Sequence, residues 1–377
     1  MFETELAGGE YCGYMDKLDD RLRGSKQGTV ELGKDDKNLI GITIGGGAPH
    51  CPVLYLVQVF ENGPAHKSGV LEPGDEILSV NGRNCRGWAK SDLAKFIQSV
   101  KGHVRLTYLK FPCGLEDGKT TDIFMKKLKH KFVENVSMDT ADALGLSRAV
   151  LSNDRTTHKV IELEKIGKVL KELKTYLVDQ VAKLKNISKS YKGISDVFSE
   201  MMCHETSNNT IASFRLVSDS HQTFYNSTET LINEMDRILE KIHVFLTQII
   251  PDTKLTLKKY LNLKFEYLSF CLKVKELEDE EADVLYDEEI GDRLHSGNYE
   301  YRLNLKCRHI SKQKFLRAKE DFLEKMELLD QKNVEQVVLI LNQYASAHFA
   351  YYDKCYEKSL ILNDFDIELT ESLCNKK

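Results

Sequence analysis

The chain has 377 residues, 41% of them hydrophobic and 29% charged, with a net charge of −5. That balance excludes disorder over the whole length and allows two or three domains. No run approaches the roughly 18 apolar residues that a membrane-spanning helix needs, and Glu3, Glu5 and Glu10 interrupt any signal-peptide pattern, so neither secretion nor spanning is expected. The nine cysteines include no Cys-x-x-Cys pair and read as reduced thiols of a cytosolic protein.

Five of the six prolines and eighteen of the 23 glycines lie at or before Gly118, so two architectures share the chain. Residues 1–25 mix acids, Gly and single apolar residues without a period and read as a mobile tail. Short β-rich runs follow over Thr29–Leu32, Leu39–Ile44, Val53–Phe60, Glu76–Val80, Val104–Leu109 and Thr121–Leu128, separated by turn residues. Helices are expected over Pro64–Ser68, stopped by Gly69, and over Lys90–Val100, where Leu93, Ala94, Phe96, Ile97 and Val100 form a buried face. Six strands and two helices in about a hundred residues describe a small, partly open β-barrel.

The loop chemistry narrows this. Lys34-Asp35-Asp36-Lys37-Asn38-Leu39-Ile40-Gly41-Ile42 resembles the carboxylate-binding loop of PDZ domains, and Gly63-Pro64-Ala65 and Gly74-Asp75-Glu76-Ile77-Leu78-Ser79-Val80-Asn81-Gly82 are similar to further PDZ signatures. Gly41, without a Cβ, lets the N–H groups of Ile40, Gly41 and Ile42 converge into an anion-binding nest suited to a terminal carboxylate. The rest of such a ligand would extend as an added strand beside Leu39–Ile44, with Lys90–Val100 as the other wall. The resemblance implies that Lys90, first in that helix, reads the side chain two before the ligand's terminus. A lysine stem there can line an apolar side chain while its ammonium reaches water, which predicts mixed specificity. The plainer reading makes Leu39, Ile40, Ile42, Ala94 and Ile97 core residues of the barrel. Gly118-Lys119-Thr120 is no phosphate loop, because the required first Gly falls at Cys113. His50-Cys51, two adjacent donors without a second pair, is weak evidence for metal.

Beyond Lys129 only five glycines and Pro251 remain, and long helices are predicted. One apolar stripe runs through Leu163, Ile166, Leu170, Leu173, Leu177, Val181 and Leu184; a second through Leu231, Met235, Ile238, Ile242, Phe245 and Ile249; a third through Val334, Val337, Leu341, Tyr344, His348, Tyr351 and Cys355. Breaks near Cys203–Thr210 and Asp287–Gly297 leave three helices of about forty, seventy-five and sixty-five residues, roughly 60 to 110 Å long. Their seams bury most simply as an elongated antiparallel bundle whose remaining apolar faces a second copy covers, so a homodimer is expected. Pro251 predicts a bend. His348 reads as a core or dimer-interface histidine.

Charge is unevenly spread. Lys254–Lys275 holds six lysines against Glu266 alone, Arg302–Lys319 holds seven basic residues and no acid, and Glu276–Asp292 holds ten acids and no base. A dimer of this kind with basic long helices resembles the BAR domains, which bind anionic membranes on a concave face. Ile250-Pro251-Asp252-Thr253, Lys258-Lys259-Tyr260-Leu261, Lys264-Phe265-Glu266-Tyr267-Leu268-Ser269 and Gly297-Asn298-Tyr299-Glu300-Tyr301-Arg302 resemble a family of scaffolds that join one PDZ domain to one arfaptin-type BAR domain. Thr140-Ala141-Asp142-Ala143-Leu144-Gly145-Leu146 extends the resemblance into the linker.

That resemblance implies a PDZ domain over 26–130, a linker over 131–152, a BAR domain over 153–362 in a dimeric crescent, and a tail from 363. It implies ligand contacts for Lys34, Asp35, Leu39, Ile40, Gly41, Ile42, Lys90, Ala94 and Ile97, and membrane contacts for Lys258, Lys259, Lys264, Lys273 and Lys275. The implied partners are C-terminal tails of receptors and kinases, anionic phospholipid membranes, a second copy of the chain, and small GTPases or actin regulators; the implied location is cytoplasmic and peripheral to membranes. The family's Cys-Pro-Cys loop is Cys51-Pro52-Val53 here, and no zinc or other cofactor is expected. In the linker, Ala143, Leu146 and Val150 share a helical face that fits an interfacial helix and the first turn of the bundle equally well. A second reading is a soluble adaptor whose bundle docks protein partners, the basic face being incidental. Nucleic acid is not expected, because the aromatic residues of 254–275 follow the buried face instead of alternating with the lysines. No nucleophile elbow or His-Glu-x-x-His motif supports an enzyme.

Overall fold

The computed structural model describes residues 25–134, 154–281 and 288–363. The expected tail up to residue 24, the linker face of Ala143, Leu146 and Val150, and residues 364–377 lie outside them.

The elements run β1 (Gln27–Gly33), β2 (Ile42–Gly46), β3 (Leu54–Val59), α1 (Pro64–Ser68), β4 (Glu76–Val80), β5 (Arg83–Asn84), α2 (Lys90–Ser99), β6 (His103–Leu109), α3 (Thr121–Glu134), α4 (Asp154–His204), α5 (Asn208–Val244), a π turn (Phe245–Ile249), α6 (Ile250–Glu281), α7 (Glu288–His295) and α8 (Tyr299–Asn363). They divide into two compact units, Met1–Leu151 with Lys258–Glu320 and Ser152–Leu257 with Asp321–Lys377.

In the first unit the strands form one open antiparallel sheet ordered β1-β6-β4-β3-β2, with β5 paired to β4. Alternation sets the faces: Val104, Leu106 and Tyr108 of β6 point inward, while His103 and Arg105 face water. Asn81 and Gly82, at φ of 49° and 82°, make the tight turn between β4 and β5. The core beneath joins Leu32, Ile40, Leu54, Leu56, Leu93 and Ile97. The strand expected over Leu39–Ile44 begins only at Ile42, because Asn38 (φ 62°) and Gly41 (φ 76°) are left-handed and interrupt the extended run on either side of Leu39 and Ile40.

The expected strand Thr121–Leu128 is a helix, α3. Thr120 Oγ1 accepts the Ile123 N–H at 3.3 Å as an N-cap, and the Asp122–Lys126 pair spaced four apart adds support. Lys127 pairs with Glu266 at 3.0 Å and Lys126 with Glu276 at 2.8 Å, so α3 lies along α6 with Ile123 and Val133 buried.

A second core in this unit lies between sheet and helices. Cys51, Val53, Tyr55, Phe111 and Leu115 pack against Phe270 and Val274 of α6 and Tyr301, Leu305 and Cys307 of α8. Gly118 fits because a Cβ there would meet the Cys307 Sγ at 2.4 Å. Arg302 is the largest fully buried side chain in this core. Its Nε donates to the Gly74 carbonyl at 2.9 Å, and its guanidinium lies 4.8 Å from the Phe111 ring centroid and 5.8 Å from that of Tyr55. Burial holds its pKa below the usual arginine value.

In the second unit Leu163, Leu170, Leu177 and Val181 of α4 are buried, as are Leu231, Met235, Ile238 and Ile242 of α5. Those two seams follow the expected stripes. The third holds in part: Val337, Tyr344, His348, Tyr351 and Cys355 are half-buried, whereas Val334 and Leu341 are exposed and Ile340 is buried instead. Val334 and Leu341 belong instead to a second apolar stripe of α8, continued by Val338, Phe349, Tyr352, Tyr356 and Leu360, which faces out at 50–72% relative exposure. His348 accepts a hydrogen bond from Gln180 at 2.9 Å and stacks 4.0 Å from the Tyr344 ring. Near Pro251 the helical ladder widens into the π turn at Phe245–Ile249, where the proline supplies no N–H, and Thr253 Oγ1 donates to the Ile249 carbonyl at 2.9 Å.

Candidate peptide groove and basic helix

The carboxylate loop is built by its own side chains. Asp35 Oδ1 accepts the Leu39 N–H at 2.7 Å and the Lys37 N–H at 3.0 Å, closing a tight Asx turn. Lys34 Nζ donates to Asn38 Oδ1 at 2.9 Å and to the carbonyls of Gln98 and Val100 at the end of α2, and Asn38 Nδ2 donates to the same Gln98 carbonyl at 3.0 Å. Lys34 and Asp35 therefore shape the loop and tie it to α2. Asn38 does the same and is not singled out by sequence; its signal is an Asn at a left-handed position beside Lys34.

The loop ends at Gly41. Its carbonyl accepts the Phe60 N–H at 3.0 Å, the Ile40 carbonyl accepts the Ala65 N–H at 3.0 Å, and a Cβ on Gly41 would meet the Gly63 Cα at 3.2 Å. Both carbonyls are thus turned inward. Among the described residues no acceptor is recorded for the N–H groups of Ile40 and Gly41. From this point β2 runs as the sheet's edge, paired to β3 on one side with Ile42 opposite Val59. α2 lies beside it.

The groove residues divide by burial. Ile40 and Ile97 are buried in the floor, Ile42 is half-buried, and Leu39, Lys90 and Ala94 are exposed, Leu39 at 45%. The core reading therefore fits Ile40 and Ile97, and Leu39 and Ala94 stand at the surface. Chemically, the arrangement offers free backbone donors, an unpaired strand edge and an apolar wall, which together accept an extended chain ending in an anion.

The basic helix is less uniform. Lys258, Lys259 and Lys275 of α6 are exposed, and Lys264 lies 5.8 Å from the Phe265 ring centroid. Lys273 is only 19% exposed and pairs with Glu300 at 3.2 Å and Asp122 at 3.6 Å. The sequence conceals this because Asp122 belongs to the helix that reads as a strand. Cys51 is buried in the second core, and burial raises its thiol pKa. Among the described residues no helix is long and apolar enough to cross a membrane.

Comparison with known proteins agrees with this architecture. A PDZ-domain model matches residues 29–109 and an arfaptin-like-domain model matches residues 124–358. The chain is 43% identical over 340 residues to the PRKCA-binding proteins of Bos taurus and Homo sapiens, covering 90% of this chain and 81% of each relative. It is 34% identical over 88 residues to bovine protein lin-7 homolog B, covering 23% of this chain and 43% of that protein. Both matched modules are scaffold domains and not enzymes. An open PDZ sheet followed by a long helical arfaptin-like region, matched nearly end to end, makes this chain an adaptor that belongs to the PDZ and arfaptin-like family of the PRKCA-binding proteins.

Proposed function

We propose that the chain captures the C-terminal tails of receptors and kinases in the groove between β2 and α2 and holds them at an anionic membrane surface. The observation that carries the groove is the conjunction of the unpaired β2 edge with the free N–H groups of Ile40 and Gly41. In this reading Ile40, Gly41 and Ile42 take the terminal carboxylate, Leu39, Ala94 and Ile97 take the last side chain, and Lys90 reads the side chain two residues earlier. Lys34 and Asp35 position the loop. Relatives that carry the name PRKCA-binding protein support a kinase tail among the ligands.

The test is calorimetric titration of the full chain with one tail peptide in free-acid and C-terminally amidated forms. Charge-assisted bonds are worth about 1.5–3 kcal/mol each, so amidation is expected to weaken binding at least about tenfold. Equal affinities would remove the carboxylate site.

For the helical region we infer a homodimer that lies on lipid as a peripheral, cytoplasmic protein. The exposed stripe on α8 from Val334 to Leu360 steps by threes and fours once Ala345 is counted, which is a coiled-coil seam left uncovered among the described residues. Lys258, Lys259 and Lys275 are the lysines free to meet phosphate headgroups. Lys264, half-buried beside the Phe265 ring, is engaged within the protein and joins the lipid face only through its place on the same helix. Lys273 is engaged by Glu300 and Asp122 and is assigned a structural task. Binding of small GTPases or actin regulators by the bundle is the second reading, favoured if vesicle binding proves insensitive to salt.

A further inference from the structure

Outside the groove, the first unit holds a cavity of about 810 Å³ between β3 with its following loop and the two helices α6 and α8. That size suits a small molecule. Its charged lining is lopsided: Arg308 and Lys312 of α8, with His309 and His66, face one acid, Glu61. Val57, Leu305 and Tyr267 add an apolar wall.

The single acid is already engaged. Glu61 Oε1 accepts from Lys312 Nζ at 2.5 Å, and that contact, helped by His66 and His309, holds the Glu61 carboxyl below its ordinary range. Arg308 is half-buried, and among the described residues no ion pair is recorded for its guanidinium. His309 is held below its usual range, first by burial and then by the positive Lys312, His66 and Lys110, with Glu72 opposing. The cluster therefore gathers two permanent cations, Arg308 and Lys312, and two imidazoles round a space with one carboxylate among them, and that carboxylate answers Lys312 alone.

We propose that this cavity binds a compact polyanion bearing adjacent phosphate groups. Arg308 supplies the planar fork that grips a phosphate through two parallel N–H bonds, Lys312 and the two imidazoles supply single donors, and the apolar wall takes the ligand's ring or stem. A carboxylate is the weaker fit, because Glu61 already presents one and leaves Arg308 unengaged. A soluble polyphosphate and a phosphorylated lipid headgroup share this chemistry.

The probe is inositol hexakisphosphate, titrated calorimetrically into the full-length protein. Arg308→Gln and Lys312→Gln are each expected to weaken binding at least about tenfold, with Arg308→Lys falling between. The double variant Lys168→Gln/Lys183→Gln, which removes exposed lysines of α4, is expected to bind as the parent does. Thermal melts check that each variant folds. No binding by the parent, no loss in Arg308→Gln, or an equal loss in the α4 variant would overturn the site. The source is separated with vesicles of phosphatidylcholine carrying either phosphatidylinositol bisphosphate or enough phosphatidylserine to match its charge. A selective loss by Arg308→Gln on the inositide vesicles identifies a lipid headgroup, whereas loss confined to the soluble probe identifies a free polyphosphate.

Discussion

The Lys258→Glu/Lys259→Glu protein is expected to bind acidic vesicles at least about thirtyfold more weakly than the parent. Each lysine near an anionic surface contributes about 1 kcal/mol, and reversing two replaces two attractions with two repulsions in each protomer. The full reversal is worth about 4 kcal/mol per protomer, on the order of a thousandfold. The lower expectation allows for one of the two side chains pointing away from the bilayer. Parent binding should also fall steeply with salt, since the Debye length is about 10 Å at 0.1 M and shrinks to about 3 Å at 1 M. Lys273→Glu supplies the contrast: its ammonium pairs with Glu300 and Asp122, so the change should lower thermal stability and spare vesicle binding. Vesicle sedimentation across a salt series reads both. Unchanged binding by Lys258→Glu/Lys259→Glu would leave the basic helix without a lipid task and favour the protein-docking reading.

Placing two charges in the outward seam of α8, as Leu341→Asp/Phe349→Asp, is expected to convert a dimer into a monomer. Leu341 and Phe349 are 59% and 72% exposed in the single chain. Covering such side chains contributes about 1.5–3 kcal/mol each, and a two-fold interface counts each position twice. The variant loses those contributions and adds buried carboxylates. Neither position is buried in the single chain, so helical content should survive, and sedimentation equilibrium is expected to give half the parent mass. Parent and variant of equal mass would remove the dimer seam. Monomers present half the lysines to a vesicle, so lipid binding should fall with the dimer.

Much of this architecture was legible in the residues because local chemistry decides it. Asn81-Gly82 specifies a tight hairpin, Gly69 stops α1, and the break around Cys203–Thr210 separates helices that end at His204 and resume at Asn208, whereas the break expected over Asp287–Gly297 holds the short helix α7, Glu288–His295, before α8 starts at Tyr299. Other features depend on partners distant in sequence. Thr121–Leu128 contains strand-forming residues, and although Thr120 as N-cap and Asp122 four before Lys126 are local helix signals, the helix is also tied by its lysines to Glu266 and Glu276, more than a hundred residues away. The second core escapes for the same reason, since nothing near Tyr55, Phe111 or Gly118 announces Phe270, Arg302 and Cys307. The third stripe went partly astray because α8 has two apolar faces, and spacing alone does not say which turns inward. In the groove, residue types identified Ile40, Gly41 and Ile42, while the work of Lys34 within the loop required the carbonyls at the end of α2.

The central claim is that one chain grips a peptide tail and a bilayer together. It is tested most directly by sedimenting acidic vesicles with a fluorescent free-acid tail peptide and the full-length protein. The peptide is expected in the pellet only when protein is present, and it should return to the supernatant with Gly41→Val, where a Cβ at φ 76° is strained and crowds Gly63. It should also leave the pellet, along with the protein, for Lys258→Glu/Lys259→Glu. A peptide that stays in solution while the protein pellets, or that pellets equally with Gly41→Val, would contradict the account.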